Sequence, residues 1–206
     1  MIIGVCGNIG AGKSTLIELL ERKAGYIPVY ETVEENPYLS KFYEDMEKWA
    51  FHSQLFFLIK RFDFLKRVDP KKGITLEDRT IEEDVEIFAR NLHEMGYISS
   101  TDWSTYLSLF KTFCDHLPQP AGFIYLRASV QTLLKHVKRR GRDFESGISP
   151  RYLSRLNDLY QRWIKTIRRP VLTLDCDRLD FVESEEDREN VVKDVTGFVQ
   201  NLRSSI

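Results

Sequence analysis

The residues best equipped for chemistry lie near the start of the chain, where Gly7-Asn8-Ile9-Gly10-Ala11-Gly12-Lys13-Ser14-Thr15 completes the pattern G-x-x-x-x-G-K-S. Glycines in such a loop let backbone N–H groups converge on a phosphate at a helix N-terminus. Lys13 then neutralises β- and γ-phosphate oxygens, and the Ser14 hydroxyl is offered to Mg2+. Met1-Ile2-Ile3-Gly4-Val5-Cys6 before the loop reads as a strand, and Leu16, Leu19 and Leu20 after it read as one helix face, which is the context the motif requires. A nucleoside triphosphate is implied, and the reaction is left open.

The elements that must position this loop follow from pattern. Short β-branched runs alternate with amphipathic stretches, the rhythm of a parallel sheet covered by helices. Strands are expected at roughly 1–6, 27–31, 73–78, 122–127 and 170–175. Stripes such as Ile81, Val85, Phe88, Ala89 and Leu92, or Val191, Val195, Phe198, Val199 and Leu202, read as helix faces turned to a core. Asn36-Pro37, Ser149-Pro150 and the capping box beginning at Thr80 mark helix starts, and 37–69 reads as two helices. The fold class is α/β, one domain over 1–206.

Ligands of open parallel sheets gather at the carboxyl ends of the strands, so charged residues there become candidates. Glu31 ends the second strand, where a carboxylate can take a proton from a hydroxyl attacking the γ-phosphate, or can simply be an exposed acid. Asp78-Arg79-Thr80 closes the third: Asp78 can hold a metal-bound water and Arg79 can bridge the transferring phosphate, while Thr80 caps the next helix. Gln54 shares a helix face with Leu58 and Arg61, and its amide suits bidentate pairing with a base edge as well as a surface position. Asp84 and Phe88 are one turn apart, an acid beside an aromatic that can stack on a base or serve only the core.

Composition bounds the function. The chain has 206 residues, 42% of them hydrophobic and 30% charged, with a net charge of −1, so no global basic field exists to collect nucleic acid or an anionic membrane. Cys6, Cys114 and Cys176 are too few and too scattered for a disulfide framework or a metal cluster, which fits a reducing, cytoplasmic setting. No apolar run is long enough to span a bilayer, and no targeting segment is visible.

Taken together, the loop from Gly7 to Thr15, Glu31-Thr32-Val33 with Asn36-Pro37-Tyr38-Leu39, Gln54, Asp78-Arg79-Thr80 and Arg140-Gly141-Arg142 resemble the cellular deoxynucleoside kinase family, nearly end to end. The resemblance implies a P-loop kinase fold with a five-stranded parallel sheet and an arginine-containing lid at about 139–148. It implies ATP and Mg2+, transfer of the γ-phosphate to the 5′-hydroxyl of a deoxyribonucleoside, and Glu31 as base. Gln54 resembles the base-reading glutamine, and Arg61 with Asp84 resembles the pair at the far edge of the base in members that take deoxycytidine, deoxyadenosine or deoxyguanosine. Tyr43 and Glu145 resemble the groups that hold the sugar 3′-hydroxyl, and Arg140 and Arg142 the lid arginines over ATP. Most members carry Glu-Arg-Ser where this chain has Asp78-Arg79-Thr80, and His136 stands where relatives often have another arginine. A homodimer through helices near 81–95 and 149–167, feedback inhibition by a deoxynucleoside triphosphate, and a resemblance to bacterial purine deoxynucleoside kinases such as deoxyadenosine kinase complete the expectation. The competing readings are a nucleoside monophosphate kinase of thymidylate kinase type, which would need an anion site for its acceptor, and a nucleotide sensor without catalysis.

Overall fold

The computed structural model describes residues 1–31, 33–142, 145 and 147–204. Thr32, and Asp143, Phe144 and Ser146 of the expected lid, lie outside the described residues. The sheet is formed by β1 (Ile2–Gly7), β2 (Ile27–Val29), β3 (Thr75–Asp78), β4 (Gly122–Arg127) and β5 (Val171–Asp175), all parallel in the order β2-β3-β1-β4-β5. Each strand overlaps its expected stretch, but β1 runs one residue further, to Gly7, and β2 stops at Val29, so Glu31 lies two residues past the strand rather than at its end. β1 is central and buried along its whole length, as its run of apolar and small residues dictates for a strand covered on both faces. Its register sets Val5 beside Asp78 and Ile3 beside Gly122, so the ends of β1 and β3 coincide at the phosphate-binding motif.

Helices α1 (Lys13–Ala24), α2 (Leu39–Glu44) and α3 (Met46–Leu65) follow the first two strands. The 37–69 region is thus two helices, the second started by the Asp45 side chain accepting from Lys48 N–H. Asn36 is not the cap of α2, which begins at Leu39. Its side-chain Oδ1 accepts from Tyr38 N–H at 2.9 Å and its side-chain amide donates to Ser53 Oγ at 3.2 Å, so it ties the turn to α3. After β3, α4 (Ile81–Glu83), a π-helical segment Asp84–Ala89 and α5 (Arg90–Glu94) run on as one continuous rod. Thr80 and Glu83 form the expected capping box. The remaining helices are α6 (Ser100–Cys114), α7 (Val130–Arg140), α8 (Pro150–Ile164), capped by Ser149 with Pro at its start, and α9 (Glu185–Ser204).

Two apolar clusters hold these layers. One joins the sheet to α1, α7, α8 and α9, with Leu153, Leu156, Leu159, Tyr160 and Trp163 of α8 buried in it. Each such side chain contributes about 1.5–3 kcal/mol of transfer free energy. The other packs α2, α3 and α6 against the rod, where the stripe Ile81, Val85, Ala89 and Leu92 is buried. The cleft between the clusters opens over the carboxyl ends of β1, β2 and β3. No described helix is long and apolar enough to cross a membrane.

Candidate active site

The phosphate loop owes its path to glycine at two positions. Gly10 has φ 83°, and a Cβ there would lie 2.8 Å from the Leu133 carbonyl and 2.9 Å from Val137 Cγ2. Gly12 caps α1 at φ 94° with no side-chain cap, so the N–H groups of the first turn stay available to an anion. Asn8 anchors the loop to α8, its amide donating to Leu153 O at 2.9 Å and Asn157 Oδ1 at 2.7 Å. His136 on α7 donates from Nδ1–H to Gly10 O at 2.8 Å, so the position where an arginine was expected in relatives supports the loop backbone. Lys13 Nζ rests on Gly7 O at 3.0 Å and Asn8 O at 3.3 Å.

Ser14 Oγ donates to Asp78 Oδ2 at 2.6 Å, while Asp78 Oδ1 is buried without a partner. Mg2+ usually takes one or two protein oxygens and completes its shell with phosphate and water. A hydroxyl, an unsatisfied carboxylate oxygen and an adjacent phosphate loop fit that habit. No cluster of three or more His, Cys, Asp or Glu side chains that could hold a metal ion exists among the described residues.

Arg79 is the one described residue other than glycine with positive φ, at 65°. Backbone strain of this kind gathers at functional sites and persists where neighbours over-determine it. Here Arg79 N–H donates to Val5 O at 3.1 Å, Thr80 is held in the capping box, and the Arg61 guanidinium donates to the Arg79 carbonyl. The Arg79 side chain lies 3.9 Å over the Phe88 ring and 3.2 Å from Glu31 Oε1, while its buried Nε has no partner. An Arg with one fixed partner and an unspent donor is prepared for a phosphate oxygen.

Arg61 is the hub of the charge network. Its Nε donates to Asp84 Oδ2 at 2.6 Å, Nη2 to Asp84 Oδ1 and Glu31 Oε1 at 3.3 Å each, and Nη1 to the Asp78 and Arg79 carbonyls. A guanidinium has five N–H donors, and all five are engaged. Arg61 therefore stands behind the cleft and orients Asp84, Glu31 and the strained turn.

Lys13, Ser14, Glu31, Tyr43, Gln54, Asp78, Arg79, Asp84, Phe88, Arg140, Arg142 and Glu145 all line one cavity of about 300 Å³. Every candidate beyond the loop backbone except Arg61 thus reaches one space. Gln54 is buried in α3, and its side-chain amide makes no hydrogen bond among the described residues, which leaves it for a ligand. Arg140 grips the Glu145 carboxylate through Nε at 3.0 Å and Nη2 at 2.6 Å, with Arg142 3.7 Å away. The expected phosphate and sugar ligands are therefore joined to each other here. Sequence reasoning missed the apolar wall of Leu39, Phe42, Phe57 and Tyr152, because nothing separates cleft aromatics from core aromatics before the chain folds. A larger open groove of about 980 Å³ beside α9 contains none of these groups.

Burial governs protonation. The Glu77 carboxyl, 3.8 Å from Arg61, is pushed up to about 8 by desolvation, and Glu83 up to about 7 by the same cause. Burial also raises Asp84 despite Arg61, and lowers Lys13 with Arg79 adding to the effect. For Glu77, native and unfolded states are both protonated below about 4.5. Between that value and about 8 only the unfolded chain has released the proton, so stability falls as pH rises and the loss is complete above about 8. Glu77→Gln removes this titration. Thermal melts should show the variant gaining on the native protein with pH, by roughly 5 °C more at pH 8.5 than at pH 5. Parallel curves would mean that Glu77 is ionised in the folded protein.

Fold and site together define a P-loop phosphotransferase with a cavity of charged and aromatic residues beside the phosphate loop. The comparisons with known proteins sharpen this class. The family model described as deoxynucleoside kinase matches residues 3–200. The chain is 36% identical over 203 residues to the deoxyadenosine/deoxycytidine kinase of Bacillus subtilis (strain 168), covering 97% of this chain and 94% of that one. It is 34% identical over 198 residues to the deoxyguanosine kinase of the same organism, covering 94% and 95%. Among solved structures, deoxyadenosine kinase from M. mycoides with the products dCMP and dCDP superposes with a TM-score of 0.83 at 30% identity, covering 98% of this chain and 100% of that one. The same enzyme with bound dATP gives 0.81 at 30% identity, covering 95% and 99%. The chain belongs to the deoxynucleoside kinase family, and is an ATP-dependent enzyme that phosphorylates deoxyribonucleosides.

Proposed function

We propose that the protein transfers the γ-phosphate of ATP to the 5′-hydroxyl of deoxyadenosine, with deoxyguanosine and deoxycytidine as further acceptors, in cytoplasmic nucleoside salvage. The observation that carries this reading is Glu31, held by Arg61 and Arg79 at the edge of the cavity that also holds Lys13. Glu31 takes the proton of the 5′-hydroxyl as that oxygen attacks, and Arg79 steadies the phosphoryl group in transit. The loop N–H groups and Lys13 bind the triphosphate. Mg2+ held by Ser14 and Asp78 would neutralise charge between the β- and γ-phosphates.

Gln54 pairs with the base edge, Phe88 and the apolar wall sandwich the ring, and Asp84 accepts from the exocyclic amino group. Tyr43 and Glu145 hold the 3′-hydroxyl, so binding of the sugar competes with Arg140 for Glu145 and frees that arginine, with Arg142, for the phosphates. The segment at about 139–148 acts as the lid of a single domain. The dATP-bound relative supports feedback inhibition by a deoxynucleoside triphosphate. The helices near 81–95 and 149–167 pack together, Glu94 lying 3.6 Å from Arg162, and offer a second copy one continuous face for a homodimer.

The test is steady-state phosphorylation with ATP and Mg2+ across the four deoxyribonucleosides and their 5′-monophosphates. Turnover of nucleosides with none of monophosphates is expected, because Glu31 and Glu145 repel a dianionic acceptor. Turnover confined to monophosphates would overturn the assigned roles of both acids.

A further inference from the structure

Gly7, the last residue of β1, has both backbone groups committed to buried side chains outside the phosphate loop. Its N–H donates to Glu83 Oε1 at 3.2 Å, and its carbonyl accepts from Tyr160 O–H at 2.8 Å as well as from Lys13 Nζ at 3.0 Å. Tyr160 and Glu83 are fully buried, and the Tyr160 oxygen also lies 2.7 Å from Glu83 Oε1. The second Glu83 oxygen accepts from Thr80 N–H at 2.8 Å, directly after the strained Arg79. Two side chains thus join the mouth of the phosphate loop to the Arg79 turn, and neither lines the cavity.

Two of the three Lys13 N–H donors rest on Gly7 O and Asn8 O, so offering the ammonium to both β- and γ-phosphate oxygens draws donors away from this backbone. When its ammonium turns to the phosphates, the Gly7 carbonyl loses a donor in a place water does not reach, and such a loss opposes ligand binding. Tyr160 is already within bonding distance of that carbonyl. We propose that Tyr160, oriented by Glu83, is the positioning residue that keeps the Gly7 carbonyl satisfied while Lys13 turns to ATP, so that the loop holds its shape through the exchange.

The proton count agrees. One phenolic hydrogen cannot satisfy both Gly7 O and an ionised Glu83. A protonated Glu83 donates to the Tyr160 oxygen and leaves the phenol to donate to Gly7. Burial pushes the Glu83 carboxyl up to about 7, against the opposing pull of Arg79 and Lys13, so this form is accessible near neutrality. The inference rests on ATP binding by the loop and not on the identity of the nucleoside.

Calorimetric titration with MgATP, in the absence of nucleoside, tests it on the full chain. Tyr160→Phe should weaken the Kd about fivefold while leaving the KM for deoxyadenosine within about twofold of native. In a Lys13→Met background, where no lysine leaves Gly7, the same change should have no further effect on MgATP binding. An equal loss in both backgrounds, a parallel rise in the deoxyadenosine KM, or an unchanged Kd would each overturn the proposal. Glu83→Gln gives a second measure if Tyr160→Phe fails to fold. Its amide must turn an NH2 toward either Gly7 N–H or Thr80 N–H, and the MgATP Kd should rise about threefold with Lys13 present and not in the Lys13→Met background. An unchanged Kd for this variant would also overturn it.

Discussion

Glu31→Gln is expected to lower kcat by about 10³-fold while leaving MgATP affinity unchanged and the nucleoside KM within about threefold of native. Gln preserves the size and the contacts to Arg61 and Arg79, whose nitrogens lie 3.3 and 3.2 Å from Glu31 Oε1, but it cannot accept a proton from the attacking hydroxyl. The loss therefore falls on the chemical step. A kcat within tenfold of native would reduce Glu31 to an electrostatic partner of its two arginines.

Deoxyadenosine is expected to exceed thymidine in kcat/KM by about 10²-fold, and Asp84→Asn should bring the ratio to within about tenfold, mainly by loss of activity on deoxyadenosine. The reason lies in the donor count around Arg61. Every one of its N–H groups is spent on Asp84, Glu31 and the turn carbonyls, so Arg61 has nothing to offer the O4 of thymine. Asp84 presents acceptor oxygens, which welcome the amino group of adenine or cytosine and repel a carbonyl. Asn keeps the shape and contributes an amide donor, and a buried polar mismatch is what separates one base from another at such a site. Comparable native activity on thymidine would remove Asp84 from base selection.

Much of this site was legible before folding because its chemistry is local. The phosphate loop is a contiguous string whose glycines dictate backbone shape. The Thr80–Glu83 capping box and the Ser149-Pro150 start are equally short-range, and both occur as the sequence implies. Asn36 shows where local reading fails: its turn chemistry is real, but its amide is drawn to Ser53, 17 residues away, and the helix starts later. The four-residue spacing of Asp84 and Phe88 was read on an α-helix, whereas the segment is π-helical, a distortion that side-chain pattern does not encode.

The sequence by itself determined the alternation of strands and helices, the phosphate-binding loop, and which acids and bases end the strands, because hydrophobic period and glycine placement act over a few residues. Only the tertiary structure decided who pairs with whom. Arg61 spends its donors on groups brought from the loop after β2, the end of β3 with the turn behind it, and the helical rod, Arg140 closes on Glu145, and Tyr160 reaches Gly7 across 153 residues of chain. Such contacts between distant segments are fixed by the packing of whole layers and the low dielectric between them, where each buried charge must find its partner or be neutralised by gaining or losing a proton.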